Sequence, residues 1–128
     1  MQHCKLPLVV CLHGIGERDA GEPGFDALVK KHGPWTEARA PGVNKASILA
    51  PQCPFDKVWP VVCDKVVALV QHICAKYQHR IDGRRITLTG LSIGGFGVFA
   101  TVAAAPSVFT GLAVICGGFA EPVSTPRI

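Results

Sequence analysis

The sequence predicts an α/β fold built on about four parallel strands with flanking helices. Three observations carry that prediction. Apolar runs too short for helices alternate with stretches of helical character, the order expected when a parallel sheet is wound with crossover helices. Hydrophobic residues make up 48% of the 128 residues and charged residues only 17%, below the roughly 25% charged of an average soluble domain; that balance suits a sheet covered on both faces, and equally a chain that has lost part of its covering. Glycine-rich turns close the first and third apolar runs, where ligands bind in such sheets. The length is that of one domain, spanning 1–128.

The elements follow in order. Leu6 to Leu12 reads LPLVVCL, a continuous apolar strand, and His13-Gly14-Ile15-Gly16 turns the chain away from it. Phe25 to His32 has the composition of a short helix stopped by Gly33-Pro34. Ala46 to Ala50 is a second strand, ended by Pro51. Asp56 is placed to cap a long helix whose apolar stripe is Val58, Val62, Val66, Leu69, Ile73 and Tyr77; Pro60 is tolerated only in its first turn. Ile81-Asp82-Gly83 reads as the next turn, Ile86 to Thr89 as a third strand, Ser92 to Ala104 as a helix of small residues stopped before Pro106, and Leu112 to Cys116 as a fourth strand.

Several function classes recede. The net charge of +4 comes from short pairs, Lys30-Lys31 and Arg84-Arg85, with no basic stripe, so nucleic acid is not an expected partner. No Cys/His spacing matches a zinc ligand set, and no cofactor or metal is expected. No charged residue falls between Arg85 and Glu121, yet Pro106 and several glycines break this stretch, so a membrane span is not expected either. The opening residues lead straight into a strand without a signal peptide, and six cysteines form no CxxC pair; a reducing, cytoplasmic location is the expectation.

Gly90-Leu91-Ser92-Ile93-Gly94 matches GxSxG. Chance supplies the pattern in about 4% of chains this long, but here an apolar strand precedes it and a helix follows, the setting of a nucleophile elbow. Ser92 is then the candidate nucleophile, with Gly90 and Gly94 keeping strand and helix close. The second element is the turn after the first strand, His13-Gly14-Ile15-Gly16. An acyl oxyanion needs two backbone N–H donors, one from the residue after the nucleophile, Ile93, the other from such a turn, at Ile15 or Gly16; Gly14 lets the backbone approach. The first and third strands must be neighbours for the two turns to share a crevice.

The pieces LPLVVCLHGIGERD, LAPQCP with Trp59 shortly after, YQHRIDGRRITLTGLSIGGFG and LAVICGG resemble the esterase and predicted-peptidase branch of the α/β-hydrolases, relatives of dienelactone hydrolase, feruloyl esterase and polyhydroxybutyrate depolymerase. The resemblance implies the central portion of that fold, with the Ala46, Leu6, Ile86 and Leu112 strands side by side in that order. It implies a serine hydrolase of carboxylic esters acting on a small-molecule ester or acyl substrate, with Ser92 as nucleophile, Ile93, Ile15 and Gly16 as oxyanion donors, and a structural His13 supporting its turn.

The sequence departs from the family where the triad is completed. The family places its Asp and His after the serine, and after Ser92 these residues hold neither; the family's early and late strands also have no counterpart here. A partial, truncated domain is the expectation, inactive or incomplete as an enzyme. His13 is the one histidine that could stand in as base. A non-catalytic binding protein that keeps the hydrolase core is the alternative, and an exposed sheet edge could support self-association. Ester, thioester and peptide substrates stay open.

Overall fold

A computed structural model of the chain describes residues 4–19, 21, 29, 33 and 45–118. The described elements are β1 (Leu6–Leu12), a 3-10 turn (Ile15–Glu17), β2 (Ser47–Leu49), a second 3-10 turn (Trp59–Val62), α1 (Cys63–Lys76), β3 (Ile81–Leu91), α2 (Ile93–Ala104) and β4 (Gly111–Ile115). Of the short helix expected at Phe25 to His32, only Val29 is among the described residues, where it is helical and buried; the rest lies outside them. The strands form one parallel sheet in the order β2-β1-β3-β4. The fold is therefore α/β as the sequence predicts, and the first and third strands are the central pair.

That order creates a switch point. The chain leaves β1 toward β2 on one side, whereas it leaves β3 toward β4 on the other. Crevices open at such places, outside the carboxyl ends of the strands. The register levels the two ends, because Cys11 pairs with Thr89 and Leu12 with Gly90. The turns that follow β1 and β3 thus start side by side.

Alternation along the strands builds the core. Leu8, Val10 and Leu12 of β1 and Ile86 and Leu88 of β3 are buried on one face, against Trp59, Val62, Val66, Val70 and Val98. The helical stripe is largely as the periodicity requires, with Val62 and Val66 buried and Ile73 packed at its margin; Val70 joins it, and Tyr77 at the end is exposed. Among the described elements α1 and α2 pack on that same face; on β4, at the sheet edge, Leu112 shares it with its partner Leu88 yet is 48% exposed, while Ile115 on the other face is 54% exposed. None of the described helices is long and apolar enough to cross a membrane.

Two boundaries need correction. Asp56 does not cap the long helix. Its carboxylate pairs with Lys57 at 3.0 Å, Val58 is extended (φ −129°, ψ 155°), and the helical path starts only at Trp59 as a 3-10 turn that holds Pro60. The turn expected at Ile81-Asp82-Gly83 is instead a bulge inside β3. Leu6 pairs with Ile81 and Leu8 with Ile86, so a five-residue step faces a two-residue one. Asp82 gathers the extra length: its carboxylate accepts from the Arg84 N–H at 3.0 Å, Arg84 Nε at 3.2 Å and Arg85 Nε at 3.0 Å. Those donors, Arg84 first, hold its carboxyl down at about 2.

One buried group in α2 yields a stability prediction. Thr101 is fully buried, and its Oγ1 has no hydrogen-bond partner among the described residues. Valine keeps the shape and removes the unsatisfied hydroxyl, so Thr101→Val should raise the unfolding free energy in urea by about 1 kcal/mol. A loss of similar size would instead show that the hydroxyl is bonded.

Candidate functional site

β3 ends at Leu91 and α2 begins at Ile93, leaving Ser92 alone at the junction with φ 57° and ψ −117°. A non-glycine residue there carries strain of roughly 1–3 kcal/mol, which persists only where the surroundings fix it. They do so on both sides. The Ser92 N–H donates to the Ile115 carbonyl at 2.9 Å, and its carbonyl accepts from the Gly95 and Phe96 N–H groups at 2.8 and 3.3 Å. Its side chain caps nothing and the residue is exposed. The Ile93 N–H opens α2 and has no carbonyl within the helix to bond.

The flanking glycines are required by space. A Cβ on Gly90 would overlap the carbonyl of Gly94, and one on Gly94 would overlap the carbonyl of Leu12 and lie 2.8 Å from that of His13. The second contact matters most, because it joins the elbow to the end of β1. Helix α2 starts hard against the strand that carries the His13 turn.

In that turn His13 is a strut. Its Nε2 faces the Cys53 N–H at 2.9 Å, and a backbone amide can only donate, so Nε2 is the acceptor. The proton therefore sits on Nδ1, which donates to the Gly14 carbonyl at 2.7 Å. The His13 carbonyl accepts from Trp59 Nε1 at 2.9 Å, and the two rings meet edge to face with centroids 4.8 Å apart. Both imidazole nitrogens are thus occupied.

Burial holds the His13 pKa below its ordinary 6.5, so the folded state needs the neutral ring. Between the folded pKa and 6.5 the unfolded chain binds a proton that the folded chain does not. Stability is therefore fully present above about pH 6.5 and falls as pH drops through that window, by up to about 1.4 kcal/mol per pH unit. Urea unfolding from pH 8 to 5 should show this slope, and His13→Gln, weaker at pH 8, should flatten it. An unchanged slope in that variant would place the proton uptake elsewhere.

A second loop holds the turn from outside. The Asp19 N–H donates to Cys53 O at 2.9 Å and the Phe55 N–H to Asp19 O at 2.7 Å, while Gln52 Nε2 donates to Glu17 O at 2.9 Å. Arg18 reaches two carbonyls, Ile15 through Nε and Lys57 through Nη1, each at 3.2 Å, with its guanidinium 5.1 Å from the centre of the Phe55 ring. Sequence reading singled out neither Cys53 nor Arg18 as part of this site. Only the LAPQCP piece and Trp59 hinted at it, through the resemblance.

Behind the turns, on the sheet face opposite α1 and α2, lies an open trough of about 460 Å³ lined by Val9, Cys11, Thr87, Thr89, Ala113 and Ile115, with Glu17 at its edge. Burial pushes the Cys11 thiol up to about 11, so it packs there as a small hydrophobe. Among the described residues no three His, Cys, Asp or Glu side chains come together as a metal site. His72 lies on α1 and His79 after it, next to where β3 begins and so at the far end of the sheet from Ser92. The structure brings Ser92, Ile93, Gly90, Gly94 and the His13–Gly16 turn to one end of the central strands.

Four parallel strands with flanking helices, and a strained serine between the third strand and its helix, define a partial α/β-hydrolase fold. The comparisons agree at that level. No family model and no curated protein matches the chain. Among solved structures, a thermostable esterase aligns over 92% of the chain with 31% identity and a TM-score of 0.63. The chain spans 34% of that esterase's length. The likeness supports a hydrolase-like ancestry.

Proposed function

We propose that these residues carry the nucleophile and oxyanion half of a serine carboxylic-ester hydrolase of the esterase and predicted-peptidase branch. The observation that carries the reading is Ser92, exposed at φ 57° between β3 and α2, beside a turn held by buried hydrogen bonds. Ser92 Oγ attacks the carbonyl carbon of a small-molecule ester as its proton passes to a base. The carbonyl π pair moves to oxygen, where the N–H groups of Ile93 and of Ile15 or Gly16 hold it. Collapse expels the alcohol, which takes up the proton, and water then releases the acid from the acyl-serine. The base in this scheme is a histidine supplied by polypeptide outside these 128 residues; His13, with both nitrogens bonded, serves the turn.

The test is a chimera in which these residues replace the aligned portion of the thermostable esterase. Its folding is checked by circular dichroism and its serine by a fluorophosphonate probe. Labelling should map to Ser92 and vanish in Ser92→Ala. A folded chimera that does not label would overturn the proposal and favour a binding protein on a hydrolase core.

A further inference from the structure

The oxyanion reading needs one amide of a short turn, Ile15 or Gly16, aimed at the same point as the Ile93 N–H, yet a single 3-10 turn with two glycines has few bonds of its own to keep its peptide planes fixed. Every peptide bond among the described residues is trans, so each N–H points opposite to the carbonyl of the residue before it. Fixing a carbonyl therefore fixes the next amide. The Gly14 carbonyl is held by His13 Nδ1 at 2.7 Å and the Glu17 N–H at 3.4 Å, which sets the Ile15 N–H. The Ile15 carbonyl is held by Arg18 Nε at 3.2 Å, which sets the Gly16 N–H.

We infer that Arg18 is a positioning residue: by gripping the Ile15 carbonyl it fixes the direction of the Gly16 N–H, one of the two turn amides between which the proposed function leaves the second oxyanion donor. The inference rests on that reading for its chemical meaning, but the grip itself is independent of it. The guanidinium suits the task because it is anchored from a distant part of the chain. Its Nη1 bonds the Lys57 carbonyl and its plane lies by the Phe55 ring, on a loop tied to Asp19 through Cys53 and Phe55. A planar fork can bond both carbonyls at once, whereas a lysine ammonium is a compact point donor that lacks that geometry.

The test is nitrogen-15 relaxation on the 128-residue chain, comparing the unsubstituted protein with Arg18→Lys and Arg18→Met. The Gly16 N–H should have an order parameter near 0.85 in the first and below about 0.6 in both variants, with residues of β1 and β3 unchanged. In the chimera described above, the same substitutions should lower kcat about tenfold to a hundredfold with KM within twofold, as expected when a transition-state donor is misplaced but not lost. An unchanged Gly16 amide in Arg18→Met, or an unchanged kcat in a chimera that labels at Ser92, overturns the inference. Failure of the unsubstituted chimera to label counts against the functional reading instead, and the relaxation comparison, which involves no serine chemistry, still decides whether Arg18 sets the amide.

Discussion

Gly94→Ala should cost at least about 3 kcal/mol and leave the chain close to unfolded. Overpacking a core with an extra methyl group usually costs 1–3 kcal/mol because neighbouring side chains shift to make room. Here the atoms in the way are backbone. The new Cβ would overlap the Leu12 carbonyl and lie 2.7 Å from its carbon and 2.8 Å from the His13 oxygen. Neither can retreat easily. Leu12 is paired with Gly90 at the centre of the sheet, and the His13 oxygen is bonded to the Trp59 indole. Helix α2 must then move off β1, which would also strip contacts between Val98 and the core around Trp59. With total stabilities of 5–15 kcal/mol for domains in general, a loss of this size removes much of the margin. Gly16→Ala is the matched control, since a Cβ there meets nothing within 4 Å; its change should stay within about 0.5 kcal/mol. Urea unfolding followed by circular dichroism measures both. A Gly94→Ala protein within 1 kcal/mol of the parent would mean that the elbow does not press on β1 as described.

The contrast between those glycines marks what the sequence makes legible. Gly90 and Gly94 stand at fixed distances from Ser92 behind an apolar strand, so their steric role can be read from one local pattern. Strand β1 is legible for the same reason: seven apolar or strand-compatible residues run into a glycine turn, and the structure begins and ends the strand at the same residues, Leu6 and Leu12. Local patterns mislead where a distant partner wins. Asp82-Gly83 has the composition of a turn, but the Leu6 N–H reaches back to Arg80 O at 2.8 Å and Arg85 Nη2 to Lys5 O at 2.6 Å. Those contacts draw the segment into the sheet as a bulge. Asp56 has the chemistry of a cap, yet the burial of Trp59 and its bond to His13 fix where the helical path begins. The bond from the Cys53 amide to His13 spans 40 residues, and no spacing in the sequence announces it. It also decides which nitrogen of His13 carries the proton, and so what that histidine can do.

That bond leads to the second large effect. The 128-residue chain by itself should react with a fluorophosphonate probe no faster than its Ser92→Ala variant, within about threefold, and should show no enzymatic ester turnover. A serine hydroxyl becomes a useful nucleophile when a base lies within about 2.6–3.2 Å of its oxygen. For His13 to be that base, Nε2 would have to release the Cys53 N–H, leaving a buried amide unsatisfied at a cost of about 1–3 kcal/mol. The ring would then have to take a charge that burial already disfavours. Each step also loosens the turn proposed to supply an oxyanion donor, so gaining a base would undo the site that the base should serve. What survives without a base is oxyanion stabilisation and binding, worth roughly 10³–10⁴ over water where it has been measured in triad enzymes, against the 10⁶-fold or more of working enzymes. Probe incorporation against time at pH 7 for the two proteins gives the comparison directly. Rapid labelling that depends on Ser92 would overturn the structural assignment of His13 or reveal a histidine donated by a second copy. His13→Ala would abolish labelling in the first case, and dilution would slow it in the second.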